Sequence, residues 1–178
     1  MGFLAKIVLC TCFTIIQYSA QAVKLSGSDC RSNGDCYSGR CHEGICAADS
    51  PKRGKVGGGG YCDADHICYS RRCHQGSCAA NSPVYGKVGG GGYCNYDYNC
   101  YSGRCFGNRC GKDSAQAGKV GGGGHCNYDY HCYSDLCHQN TCSADSTQPG
   151  KVGGGGYCVY DRQCASRYCY QNRCAPGR

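Results

Sequence analysis

The chain has 178 residues, of which 22 are cysteine, 30 glycine and 16 tyrosine, with no tryptophan and a formal charge of +7. So few large aliphatic side chains exclude a domain held by a hydrophobic core, and so many cysteines point to a disulfide scaffold made in an oxidising compartment. The charge gives a general attraction to anionic surfaces, but lysine and arginine are scattered without a dense stripe, which argues against nucleic acid as a partner.

Residues 1–22 read as a secretory signal peptide. Lys6 supplies the positive start, Ile7 to Ile16 the apolar stretch, and Ala20-Gln21-Ala22 the small residues that signal peptidase reads. The apolar run is short of the ~20 residues that cross a bilayer, so no membrane anchor is expected. Cleavage after Ala22 would remove Cys10 and Cys12 and leave an even 20 cysteines in a secreted, extracellular product.

Those 20 fall into five sets: Cys30, Cys36, Cys41, Cys46; Cys62, Cys68, Cys73, Cys78; Cys94, Cys100, Cys105, Cys110; Cys126, Cys132, Cys137, Cys142; and Cys158, Cys164, Cys169, Cys174. Each reads C-x5-C-x4-C-x4-C and starts 32 residues after the one before. A fixed period marks a repeat architecture. The expected fold is therefore small disulfide-rich repeats, five tandem modules at 23–53, 54–85, 86–117, 118–149 and 150–178 joined by Gly-rich linkers. A module spans 17 residues from first to last cysteine, far below the ~40 at which a chain begins to fold on apolar burial alone. Two bridges per module would hold it. Four cysteines allow three pairings, and first-to-third with second-to-fourth is preferred because interlocked loops constrain a short chain most. No helix longer than a turn is expected, and at most a two-strand ladder per module.

Between modules the sequence Gly-Lys-Val-Gly-Gly-Gly-Gly recurs at 54–60, 86–92, 118–124 and 150–156, followed by Tyr61, Tyr93, His125 or Tyr157. The first module has Lys24-Leu25-Ser26-Gly27-Ser28 instead, a weaker version. The spacer reads as a flexible tether, which over 15 residues spans roughly 20 Å, and the modules as independent beads. The competing reading makes Lys-Val and Tyr-Cys short strands joined by a glycine turn. A phosphate-binding loop is excluded because the lysine precedes the glycines.

Within the module, Asn33, Asp65, Asp97, Asp129 and Asp161 recur three residues after the first cysteine, and Ser38, Ser70, Ser102, Ser134 and Ser166 two after the second. Both types close turns by bonding nearby backbone. One carboxylate per module falls short of a calcium shell. No histidine stands at a constant offset to activate the serines. His42, His74 and His138 follow the third cysteine, but Phe106 and Tyr170 hold that slot elsewhere. In a secretory route four thiols oxidise rather than hold zinc. The expectation is a non-enzyme with no cofactor and no metal.

Tyrosine is the remaining unusual feature. The candidates for display or modification are Tyr37, Tyr61, Tyr69, Tyr93, Tyr96, Tyr98, Tyr101, Tyr128, Tyr130, Tyr133, Tyr157, Tyr160, Tyr168 and Tyr170. Modules this small cannot bury them all. A secreted chain combining glycine, tyrosine, lysine and tandem disulfide modules resembles the foot proteins of the mussel byssus, over Gly27 to Arg178, although the cysteine-rich members of that family carry six cysteines per repeat and this chain four. The resemblance implies an adhesive matrix protein in which tyrosine is hydroxylated to DOPA, binds mineral surfaces and cross-links covalently to other matrix proteins. Lys55, Lys87, Lys119 and Lys151 would supply cations and coupling partners.

The competing class is a soluble defence protein: a multi-headed protease inhibitor, an antimicrobial or a venom component. The third inter-cysteine loop shows no recurrent P1 candidate, and the apolar residues are too few for an amphipathic membrane-active face. A precursor cut at Lys52-Arg53 is disfavoured because later spacers lack a dibasic pair.

Overall fold

The computed structural model describes residues 22–176, so the expected signal peptide lies, up to residue 21, outside the described residues. Each module holds one 3-10 turn and one two-residue antiparallel hairpin. The turns are Asn33–Asp35, Asp65–Ile67, Asp97–Asn99, Asp129–His131 and Asp161–Gln163. The hairpins pair β1 (Cys41–His42) with β2 (Ile45–Cys46), β3 (Cys73–His74) with β4 (Ser77–Cys78), β5 (Cys105–Phe106) with β6 (Arg109–Cys110), β7 (Cys137–His138) with β8 (Thr141–Cys142), and β9 (Cys169–Tyr170) with β10 (Arg173–Cys174). Among the described residues no helix is long and apolar enough to cross a membrane.

The bridges are interlocked as preferred from the sequence. In the third module Cys94 joins Cys105 and Cys100 joins Cys110, and the other four modules repeat this first-to-third, second-to-fourth pattern. The loops closed are 10 and 11 residues long, each worth about 3 kcal/mol in the chain-entropy view. Third and fourth cysteines also face each other across the hairpin, Cys105 opposite Cys110. Backbone pairing thus sets the two bridges side by side.

The flexible-tether expectation is overturned. Val88 forms a parallel bridge with Cys100: its N–H donates to the Asn99 carbonyl at 2.8 Å, and the Tyr101 N–H donates to the Val88 carbonyl at 2.9 Å. The end of the same spacer continues onto β6, with Gly91 N–H on Cys110 O at 2.8 Å and Cys110 N–H on Gly92 O at 2.9 Å. Its start is tied backwards, Gly89 N–H donating to Ala80 O at 2.9 Å and Gly86 N–H to Tyr69 O at 3.0 Å, both in the preceding module. The spacer is a joint bonded on both sides, and the modules stack.

Two glycines show why the joint has this composition. A Cβ on Gly89 would lie 2.1 Å from the Asn81 carbonyl oxygen, and Gly91 has φ +77°. The first position needs close backbone approach and the second a left-handed turn, both of which glycine alone supplies without strain. Gly57, Gly121 and Gly153 meet the carbonyls of Asp49, Asp113 and Asp145 in the same way.

The spacer also supplies the core. Val56, Val88, Val120 and Val152 are completely or almost completely buried, each packed among the cysteines of its module. Burying one valine contributes roughly 1.5–3 kcal/mol. In the first module Lys24 takes the same backbone place, bonded to Asp35 O at 2.7 Å, but stays exposed, and the cluster there contains cysteines alone.

Candidate functional site

Three residue slots fix the loop between the first and second cysteines. The Asx side chain that opens the 3-10 turn accepts a hydrogen bond from the third-cysteine N–H: Asn33 from Cys41 at 2.8 Å, Asp65 from Cys73 and Asp97 from Cys105 at 2.6 Å, and Asp129 from Cys137 and Asp161 from Cys169 at 2.7 Å. These residues are structural, as their turn-closing reading expects. The residue that ends the turn accepts from the backbone just behind it. Asp35, Asn99, His131 and Gln163 all do so, by different acceptor atoms. The third slot is the spacer lysine. Lys55, Lys87 and Lys119 donate through Nζ to the carbonyls of His66, Tyr98 and Tyr130 at 2.6–2.7 Å, and Lys151 likewise to that of Arg162.

This frame displays paired phenols. Tyr96 and Tyr98 are 58% and 66% exposed and stack at 5.2 Å with planes 11° apart. Tyr128 and Tyr130 are 59% and 64% exposed and stack at 5.4 Å and 7°. Below the second pair, His131 is buried and meets both rings edge-on, at 5.3 and 4.5 Å. Its Nδ1 accepts from the Asn127 N–H at 3.2 Å. Burial, reinforced by Arg104, holds its pKa below the ordinary imidazole value. In the fifth module Arg162 replaces the second phenol and lies 4.5 Å over the Tyr160 ring. Ala64 and His66 hold the two places in the second module.

The other sequence candidates divide. Tyr168 and Tyr170 are exposed. Tyr37, Tyr61, Tyr93 and Tyr157 are half-buried. Tyr69, Tyr101 and Tyr133 are buried, which removes them from any displayed set. They follow the second cysteine, where the N–H is bound to the spacer valine and the carbonyl receives the next spacer's first N–H, so the ring sits under the joint. The lysines are likewise not free surface cations: each is pinned to the 3-10 turn of its own module, and in the third and fourth modules that turn carries the displayed pair.

The serine expectation is also corrected. Ser38, Ser70 and Ser102 are buried and their hydroxyls bond no protein group, while Ser134 donates to the Ser143 carbonyl at 3.1 Å. Ser102 Oγ would be 3.3 Å from a Cβ on Gly111, so these are small space-fillers beside the last cysteine. Of the five, Ser166 does bond nearby backbone, donating to the Tyr168 carbonyl at 3.4 Å; the remaining turn-closing serines lie in the spacers. Ser50, Ser82, Ser114 and Ser146 each bond the carbonyls two and five residues on and receive the N–H two residues on. Their constant place, four residues after the last cysteine, was a readable signal.

One further phenol stands apart. Tyr85 receives a bond from Arg71 Nε at 3.4 Å, and Lys52 Nζ lies 4.0 Å over its ring. The Arg71 bond is the main cause that lowers its pKa. Arg53, Ala117 and Pro149 occupy its place in the other spacers, so no periodic signal marks it.

In every module three cysteine sulfurs lie within 4.8 Å of one another, but all are disulfide sulfurs and offer no thiolate to a metal. Comparison of the chain with family models, with curated proteins and with solved structures finds no match.

Proposed function

We propose that the chain is a secreted, non-enzymatic structural and adhesive protein of an extracellular matrix or byssus-like holdfast. The observation that carries this reading is the pair of stacked, exposed tyrosines in the third and fourth modules, each with a lysine ammonium held against the same turn. The pinned lysine holds the turn that presents the rings, and the exposed rings make the contact with a mineral face. The stacked joints keep successive pairs on one connected body, so weak contacts add through effective concentration. Ten bridges suit a product that works outside the cell. Hydroxylation of these phenols to catechols would strengthen surface binding and permit coupling to other matrix proteins.

The test is retention on silica in a quartz-crystal microbalance under a high-salt rinse, for the protein before and after treatment with a tyrosine hydroxylase. The expected result is retention of the treated protein, and loss of most of that mass when Tyr96, Tyr98, Tyr128 and Tyr130 are all changed to Phe. Equal retention of the phenylalanine variant would overturn the reading.

A further inference from the structure

Away from the displayed tyrosines, two equivalent grooves open at alternate joints. One lies between the second and third modules, with a volume of about 630 Å³, and the other between the fourth and fifth, with about 580 Å³. Both have the same three kinds of wall. A histidine–tyrosine stack forms the first, His74 on Tyr93 and His138 on Tyr157, with centroids 3.5 and 3.6 Å apart. A hydroxyl residue from the earlier hairpin, Ser77 or Thr141, forms the second. An arginine from the later hairpin, Arg109 or Arg173, forms the third. Bare glycine peptides make the floor.

The arginines are aimed by the floor. Arg109 Nη1 donates to the Gly91 carbonyl at 2.8 Å and Arg173 Nη1 to the Gly155 carbonyl at 2.7 Å. One nitrogen is thereby anchored, and the rest of each guanidinium fork stays free for a ligand oxygen. The other joints lack the set. Between modules one and two the residues at these places are Ile45 and Ser77, with no arginine, and between three and four the ring pair is Phe106 on His125.

We propose that these two grooves bind an acidic linear polysaccharide, one sugar segment per groove. An aromatic wall fits the apolar face of a pyranose ring. Hydroxyl and peptide groups fit the ring hydroxyls, and a guanidinium fork binds carboxylate or sulfate in two-point fashion. The grooves carry the same formal balance: Arg109 alone in the first, and Arg173 with Lys112 against Asp145 in the second. Two sites held at a fixed separation on one stacked body favour a polymer with a repeating unit over a single small anion. This site is separate from the tyrosine pairs, so it stands or fails independently of the adhesive reading.

The test is calorimetric titration of the full oxidised chain with uronate and with sulfated oligosaccharides. The controls are a neutral N-acetylglucosamine oligomer and single-stranded DNA. Two saturable sites for at least one acidic glycan are expected, with affinity at least tenfold above either control. Arg109→Gln with Arg173→Gln should lower it at least tenfold. Arg109→Lys with Arg173→Lys keeps the charge and should recover only part, which covers the case in which the glutamine variant misfolds. Arg31→Gln with Arg53→Gln removes two charges outside the grooves and should leave affinity within twofold. Equal loss in that variant, equal binding of DNA or of the neutral oligomer, or no saturable binding would each overturn the proposal.

Discussion

His74 lies flat on Tyr93, ring centroids 3.5 Å apart and planes 8° from parallel, although the two belong to different modules. His42 on Tyr61 and His138 on Tyr157 repeat the contact. At the remaining joint the partners are exchanged: Phe106 holds the histidine's place and His125 the tyrosine's, and the stack persists at 3.8 Å. Each joint thus keeps one imidazole and one six-membered ring, on whichever side. Changing His74→Ala and Tyr93→Ala singly and together should give a coupling of about 1 kcal/mol in a double-mutant cycle of denaturant unfolding, disulfides intact. Replacing Phe106→His together with His125→Tyr should stay within about 0.5 kcal/mol of the parent, because it recreates the pair used at the other joints.

The spacer glycines are the second test. Gly89→Ala sets a Cβ 2.1 Å from the Asn81 carbonyl oxygen, so the joint must part or bend. A loss of about 1–3 kcal/mol is expected, as for overpacking elsewhere. Gly34→Ala has only Ser32 Oγ at 3.8 Å nearby and no positive φ, and serves as the neutral control. Hydrogen exchange should report the same event as faster exchange at the Gly89 and Gly91 amides, which donate to Ala80 and Cys110. Unchanged exchange in Gly89→Ala would restore the tether.

The cysteine spacing made the modules legible, and the interlocking argument reached the pairing. What the sequence hid was the joint. A four-glycine run has the composition of a coil, and composition carries no record of the Asn81 carbonyl that lies against Gly89. The buried Val88 is a lone apolar residue within the glycine spacer; its recurrence every 32 residues was visible, but not that it pairs with Cys100, 12 residues on. The exchange of Phe106 and His125 was visible in the text as two departures from pattern 19 residues apart. It became one fact only when stacking brought the rings together. Tyr101 and Tyr98 could not be ranked by sequence either: three residues separate a buried ring from one 66% exposed.

Asp113 gives a pH test. Desolvation raises its pKa above the usual 3.8, offset in part by the Gly90 N–H, and its Oδ1 is buried without a protein partner. A carboxyl whose folded pKa lies above its unfolded value binds more protons when folded. Its stabilising contribution is therefore full below pH 3.8 and is lost as pH rises through the folded value. The equivalent residue one module earlier is Asn81, whose Oδ1 accepts from the Gly58 N–H at 3.1 Å. Asp113→Asn should therefore raise the melting temperature at pH 7 and leave it unchanged at pH 3. A lower melting temperature at pH 7 would refute this account of the residue.

His131 gives the opposite slope. Its imidazole is buried beneath Tyr128 and Tyr130, its Nδ1 accepts the Asn127 N–H, and its pKa is held below 6.5 by burial first and Arg104 second. An imidazolium has no lone pair at Nδ1 and would lose that bond. Because the folded pKa is the lower one, the unfolded chain takes up protons first, so stability is full above pH 6.5 and is lost as pH falls through the folded value. Asn99 fills the same slot in the third module and accepts from Asn95 and Tyr96 at 3.2 and 3.0 Å without titrating near neutrality. His131→Asn should therefore keep the turn and flatten the stability profile between pH 7.5 and 5 relative to the parent. The stacked pair above it should respond too. In the parent, the ring resonances of Tyr128 and Tyr130 should shift together as pH falls through the His131 titration, and those of Tyr96 and Tyr98 should not. Joint movement of all four rings would mean that the acid transition belongs to the whole array and not to this histidine.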